Sequence, residues 1–365
     1  MSCDKKWFKG KCILLEGSPW ERGLIYGESC KQLISEVVER WEYSLLKGFG
    51  EDPKSLIDLF IEETGFVSTV KRVSPELLKE VEGIGEGADV DFDTIFALQC
   101  MDEGWWFFPE KDVSSGVGGC SVVGIPKIGG YPTILSQNMD IPSVFQGTDV
   151  LLRIKNHRHS VQSIVYTFAG MIALCGISDR PLGICCNTLI DLNHSETGLP
   201  VAFLVREVLE KSNLEKAIEF IKRIEHASGQ NYSIGDSERV VALECSANKV
   251  CRHEPFKEGG RVIHTNHPLV NDDLVFPPRK VFGSGTSHVR YSYLNFRIEP
   301  PKRVDLDTVK GILSSHYGPV CVHPMGKPDK AYTFGSLVYL LSDTPEMHLA
   351  RGPPCRTKYE IHTFR

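Results

Sequence analysis

The feature that most constrains this chain is a change of hydrophobic period near residue 120. Before it, apolar residues recur at helical spacing: Leu33, Ile34, Val37, Val38, Trp41 and Leu45 form one stripe with charges between them. A second helix is predicted to open with Ser74 as N-cap and Pro75 at the first helical position, where a missing N–H costs nothing. It continues through Leu77, Leu78, Val81 and Ile84. Asp93 is read as the cap of a third helix carrying Ile95, Leu98 and Met101. After the aromatic run Trp105-Trp106-Phe107-Phe108, residues 111–119 are small, polar and glycine-rich, the signature of a linker.

From Cys120 onward the pattern belongs to strands. Residues 120–125, 133–139, 150–155 and 160–168 are rich in Val, Ile, Leu, Tyr and Thr. Further strands are predicted at 171–176, 183–188, 232–235, 240–245 and 261–265. Two helices interrupt them, one at about 200–211 and one opening on the capping-box pattern Ser212-Asn-Leu-Glu215. A last helix near 307–315 precedes strands at 337–341, 347–350 and 359–364. Runs of consecutive strands are incompatible with alternating βαβ units, so an α+β chain of stacked sheets with helices outside is expected.

Charge narrows the function. The 365 residues carry a net charge of −6 with both signs interspersed, so no basic footprint for nucleic acid and no polybasic run for an anionic membrane is present. The first residues, Met1-Ser-Cys-Asp-Lys-Lys-Trp-Phe-Lys, lack an apolar core like that of a secretory signal. The apolar stretch 165–177 is broken by Gly170 and Gly176, short of the roughly 20 residues of a membrane span. A cytoplasmic protein is expected. Its twelve cysteines would then be mostly reduced, and Cys185-Cys186 and the Cys245/Cys251 pair lack CxxC spacing.

The sharpest local feature is Gly118-Gly119-Cys120-Ser121, where the linker meets the first strand. Glycines leave the preceding carbonyl open to attack, and cysteine is a strong nucleophile near neutral pH. The same four residues also fit a plain linker leading into a strand.

Other segments decide between these readings. Gly17-Ser-Pro-Trp-Glu-Arg-Gly23, Glu82-Gly-Ile-Gly-Glu-Gly-Ala88, Gly119-Cys120-Ser121, Ser136-Gln-Asn-Met-Asp140, His264-Thr-Asn-His267 and Thr333-Phe-Gly-Ser-Leu-Val338 occur in this order. Together they resemble the acyl-coenzyme A:6-aminopenicillanic acid acyltransferase family, the isopenicillin N acyltransferase-like cysteine N-terminal-nucleophile hydrolases, over nearly the whole chain. The resemblance implies an αββα sandwich and self-cleavage between Gly119 and Cys120. A largely helical segment 1–119 would stay associated with a catalytic segment 120–365 as one unit. Cys120 matches the family nucleophile, Asp140 a carboxylate linked to processing and orientation, and Asn266 an oxyanion-hole amide.

Taken alone, an Asp at a strand end is commonly a turn cap, and an Asn in a loop commonly satisfies local backbone. Asn187 ends a strand that runs along the site in the family, and is a candidate for substrate or oxyanion contact. Trp105 and Trp106 are open to two roles, acyl-pocket lining or core anchoring. His264-x-x-His267 lacks a third ligand, so no metal and no cofactor are expected.

One departure stands out. Where many relatives have Cys-Arg, this chain reads Val320-Cys-Val-His-Pro324, with Val322 at the arginine position and His323 beside it. Either His323 substitutes or the acceptor lacks a carboxylate. The expected partners are a small linear amide, such as an N-acyl amino acid or N-acyl amine, and the chain's own cleaved N-terminal segment. Two alternatives stay open: an acyltransferase using a thioester donor such as acyl-CoA, and an unprocessed, non-catalytic family member.

Overall fold

The computed structural model describes residues 10–108, 119–253, 260–276, 286–300, 302–323, 326 and 330–364. Apart from Gly119, the predicted linker lies outside the described residues. Ahead of Cys120 come strand β1 (Lys11–Leu15) and helices α1 (Pro19–Phe49), α2 (Pro53–Glu63), α3 (Phe66–Val73), α4 (Pro75–Ala88), α5 (Phe92–Gln99) and α6 (Met101–Phe107). Next are β2 (Ser121–Ile125), β3 (Thr133–Pro142), β4 (Asp149–Asn156), β5 (Val161–Phe168), β6 (Cys175–Ser178) and β7 (Gly183–Thr188). Helices α7 (Val201–Leu209) and α8 (Leu214–Arg223) lead to β8 (Gln230–Gly235), β9 (Val240–Cys245), β10 (Val250–His253) and β11 (Val262–His264). Helices α9 (Ser287–Ile298) and α10 (Leu306–Leu313) precede β12 (Ala331–Leu341), β13 (Glu346–Ala350) and β14 (Glu360–Thr363).

These strands form two sheets, ordered β1-β4-β5-β6-β7-β8-β9-β10 and β11-β2-β3-β12-β13-β14. Strand β1 runs parallel to β4, whereas the other neighbours run antiparallel. The sheets meet face to face where β2 and β3 cross β7 and β8. Helices α1 and α7 pack on the first sheet, and α9 and α10 on the second, giving the αββα layering. Both faces of β2 and β3 are therefore covered, and every residue of these strands is buried.

The segment before Cys120 is built into this sandwich. Helix α1 opens with a complete capping box, Ser18 with Glu21. Gly23 and Gly27 on α1 lie against Gly83 and Gly87 on α4 so closely that a Cβ on any of them would fall within 2.6 Å of the other helix's backbone. Only glycine permits that approach. Glu80 of α4 is fully buried between Arg22 of α1 and Arg206 of α7, with contacts of 2.9 and 2.6 Å. Burial opposes the Glu80 carboxylate, but the two guanidiniums outweigh it and hold its pKa below the ordinary value. Tyr26 of α1 donates across the layer to the Phe168 and Met171 carbonyls.

Several local expectations shift. Asp91, not Asp93, caps α5, because its carboxylate accepts from the Thr94 amide at 3.1 Å. Asn213, not Ser212, caps α8 through the Lys216 amide. The strand expected at 171–176 begins only at Cys175. Trp105, Trp106 and Phe107 of the aromatic run end helix α6, with Phe108 as its C-cap, and β1, α2, α3, β10 and α9 carry no counterpart in the sequence reading. Among the described residues, no helix is long and apolar enough to cross a membrane.

Candidate active site

Cys120 stands at the entry to β2, between β11 and β3 in the second sheet. It lines a cleft together with Asp102, Trp105, Asp140 and Thr188. Arg290, in the first turns of α9, reaches into this end of the sheet. Its Nη1 donates to the Cys120 carbonyl at 2.6 Å and to Ser121 Oγ at 3.0 Å. Its Nη2 donates to Asn266 Oδ1 at 2.9 Å, and its Nε to Thr286 Oγ1 at 3.2 Å. A Cβ on Gly119 would lie 3.0 Å from Arg290 Nη2, so glycine is what lets the guanidinium sit against the Gly119–Cys120 peptide.

Asp140 lies on β3 and is buried. Thr333 Oγ1 donates to its Oδ1 at 2.7 Å, across the β3–β12 register that pairs these two residues. Burial lifts the Asp140 carboxyl to about 7, against the pull of Thr333 and Arg290. Burial and the Asp140 charge together push the Cys120 thiol up to about 12. The Asp140 backbone N–H and Arg290 act in the opposite direction on that thiol. The resting thiol is thus protonated and needs a base before it can attack.

Asn266 belongs to a loop fastened on two sides. Its amide N–H donates to Ser287 Oγ at 2.8 Å, at the start of α9. With Oδ1 taken by Arg290, its Nδ2 is turned towards Thr188, donating to the carbonyl at 3.1 Å. Buried Glu244 accepts from the backbone of Leu269, Val270 and Asn271 and from His264 Nε2. Both ring nitrogens of His264 are engaged, the second with the Thr265 carbonyl at 2.8 Å. His267 packs on the His288 ring and bonds Ser287 Oγ, so the His-x-x-His pair braces the loop.

The remaining candidates separate. Trp105 lines the cleft, while Trp106 is buried, donates to Ser228 Oγ at 2.9 Å and stacks on His194. Asn187 is fully buried, accepts from Asn231 and is not among the cleft-lining residues. His323 is also outside the lining, with Nε2 at 3.1 Å from both His316 Nε2 and Cys355 Sγ. Val322 bonds Thr333 in both directions, N–H to Oγ1 at 2.9 Å and carbonyl from the Thr333 N–H at 3.0 Å. The cation beside Cys120 is Arg290, which the sequence reading missed. Its signal was present: Arg290, Leu294 and Ile298 form the buried i, i+4, i+8 row of α9, and a charged residue in such a row demands a partner.

Two stacked, mainly antiparallel sheets with helices outside make the αββα sandwich that the sequence resemblance implied. Residues 149–287 match the sequence profile of the acyl-coenzyme A:6-aminopenicillanic acid acyl-transferase family. That stretch holds Asn187 and Asn266 but not Cys120, Asp140 or Arg290. The chain is 24% identical over 263 residues to the acyl-coenzyme A:6-aminopenicillanic-acid-acyltransferase 40 kDa form of Emericella nidulans, covering 71% of this chain and 70% of that one. Among solved structures, a mutant conjugated bile acid hydrolase from Clostridium perfringens is similar at a TM-score of 0.43 and 14% identity, over 67% of this chain and 96% of the other. Penicillin V acylase from Agrobacterium tumefaciens gives a TM-score of 0.40 and 14% identity, over 64% and 84%.

Proposed function

We propose that this chain cuts itself between Gly119 and Cys120 and then uses Cys120 to hydrolyse small linear amides. The observation that carries the reading is the grip of Arg290 on the Cys120 carbonyl at 2.6 Å, beside a glycine whose missing Cβ leaves room for that guanidinium.

In the precursor the Cys120 nitrogen is an amide and offers no base. Asp140, whose carboxyl titrates near 7, takes the thiol proton as sulfur attacks the Gly119 carbonyl carbon. The tetrahedral oxyanion collapses, the C–N bond breaks, and the proton passes to the departing Cys120 nitrogen. Water then hydrolyses the thioester, leaving a Gly119 carboxylate and a free thiol. The new α-amine, with an ordinary pKa of about 7.7–8.0 against about 8.5 for a thiol, becomes the base for the second reaction.

With an amide substrate the α-amine accepts the thiol proton, sulfur attacks the carbonyl, and the amine product leaves with that proton. The acyl-Cys120 thioester is released by water. Asn266 is the oxyanion donor in this reading: it is not itself among the cleft-lining residues, but Arg290 and the cleft-lining Thr188 fix its side chain, and Nδ2 has a second hydrogen to donate. The cleft carboxyls Asp102 and Asp140 favour an acyl group without negative charge. The 1–119 segment stays in place after cleavage, because β1 is hydrogen-bonded into the first sheet and Glu80 is clamped to Arg206 of the other segment.

The alternative is acyl transfer to an amine, which shares the acyl-Cys120 intermediate. The test supplies short N-acyl amines with and without free amine acceptors and follows both products. Release of free acid at a rate unchanged by acceptor supports the hydrolase. Transfer to one acceptor that far outruns acid release replaces it with an acyltransferase.

A further inference from the structure

The connection between α10 and β12 and the connection between β13 and β14 bring four metal-ligating side chains together, outside the cleft. We propose that His316, Cys321, His323 and Cys355 hold a structural zinc ion. Their ligand atoms all lie within 4.8 Å of one another. Cys321 Sγ and Cys355 Sγ are 3.6 Å apart, Cys355 Sγ and His323 Nε2 3.1 Å, and His323 Nε2 and His316 Nε2 3.1 Å. A tetrahedral zinc with ordinary Zn–S and Zn–N bonds sets its ligand atoms about 3.3–3.8 Å apart, so small side-chain adjustments would close the shell.

The donor set also selects the ion. Two thiolates and two neutral imidazoles balance a divalent charge, and a tetrahedral S₂N₂ set is a zinc pattern with no open position for water. Cys321 is buried, His323 half-buried, and His316 and Cys355 exposed, so the ion has a route in from solvent. Zinc binds both cysteines as thiolates, so binding releases protons. The competing structure is a disulfide, but its sulfurs would lie about 2.05 Å apart and the histidines would have no part in it.

The position gives the site a task. Val322 lies between two of the ligands, and its backbone holds Thr333 in both directions. Thr333 in turn donates to Asp140. The metal would therefore be a staple that fixes the strand end carrying the Asp140 partner. At the place where relatives have an arginine, this chain would have a ligand–Val–ligand turn.

Zinc binding does not rest on the role given to Cys120 and is tested without substrate. The untagged full-length protein, purified without chelator, should contain one zinc per chain by elemental mass spectrometry. After chelation and dialysis, cobalt(II) should give thiolate charge-transfer bands and tetrahedral d–d bands that saturate at one equivalent. Cys355→Ser and His316→Ala, both at exposed positions, should each lose stoichiometric zinc and keep the circular dichroism of the parent, whereas Cys120→Ala should retain it. The proposal is overturned if wild-type protein has no zinc and gives no tetrahedral cobalt spectrum. It is equally overturned if zinc persists in the Cys321→Ser/Cys355→Ser double variant, or if Cys321 and Cys355 are recovered as a disulfide from freshly lysed cells.

Discussion

Arg290 donates to the backbone carbonyl of Cys120 at 2.6 Å while its other terminal nitrogen holds the side chain of Asn266 at 2.9 Å. One guanidinium thus ties the proposed cleavage point, the start of β2 and the oxyanion-hole candidate into a single unit. Lysine offers no such fork. Arg290→Lys should slow conversion of precursor by about 10-fold or more, and Arg290→Met by about 100-fold, on the scale of one or two charge-assisted hydrogen bonds. Time-resolved gel analysis of fresh translation product measures both. Equal cleavage rates in wild type and Arg290→Met would remove Arg290 from the machinery.

With Asp140 as the proposed base, self-cleavage is expected to depend on pH. With its carboxyl lifted to about 7, the base form is scarce in mild acid and predominates above neutrality, so the cleavage rate should rise through about pH 7 and then level. Asp140→Asn should abolish that limb along with the cleavage. A rate that is flat between pH 5 and pH 8 would contradict the assignment.

The same shift has a stability consequence of opposite sign. A carboxyl whose folded pKa lies above its unfolded value of 3.8 favours the folded state while protonated, and this support is lost as pH rises from about 4 through about 7. Placed in a Cys120→Ala precursor, Asp140→Asn should raise the melting temperature at pH 8 and leave it nearly unchanged at pH 4. A lower melting temperature at pH 8 would show that the charge supports the fold.

Asn266→Ala should lower kcat and kcat/KM together by about 10²–10³, as for other oxyanion donors, with little change in melting temperature. A large fall in melting temperature alongside the lost activity would make Asn266 a brace for Arg290 and Thr188 instead.

Glu80 separates fold from chemistry. Removing its charge leaves Arg22 and Arg206 buried without a counter-ion, so Glu80→Gln should cost about 3–5 kcal/mol in denaturant unfolding of the Cys120→Ala precursor. A loss below about 1 kcal/mol would mean that the two arginines find other partners.

The sequence carried much of this. Runs rich in Val, Ile, Leu, Tyr and Thr located β3, β4 and β5 to within a few residues, because strands covered on both faces read as near-continuous apolar runs. Helix α9 escaped because its buried stripe starts with Arg290 and is otherwise interleaved with polar residues. Strand β1 escaped for a different reason: it is a short edge strand with alternate residues exposed, paired to β4 more than a hundred residues away. The glycine motifs of α1 and α4 were legible as family signatures, but their cause, backbone-to-backbone contact between two helices, is tertiary. Spacing alone could not reveal the four-residue cluster at His316, since Cys355 joins it only through the pairing of β13 and β14 beside β12.

The central claim is tested most directly by the intact mass and N-terminal sequence of freshly purified wild-type protein, beside Cys120→Ala. The account predicts two co-purifying fragments, the larger beginning at Cys120, and a single uncut chain for the variant. A wild-type protein that hydrolyses amides while remaining one unbroken chain would contradict it.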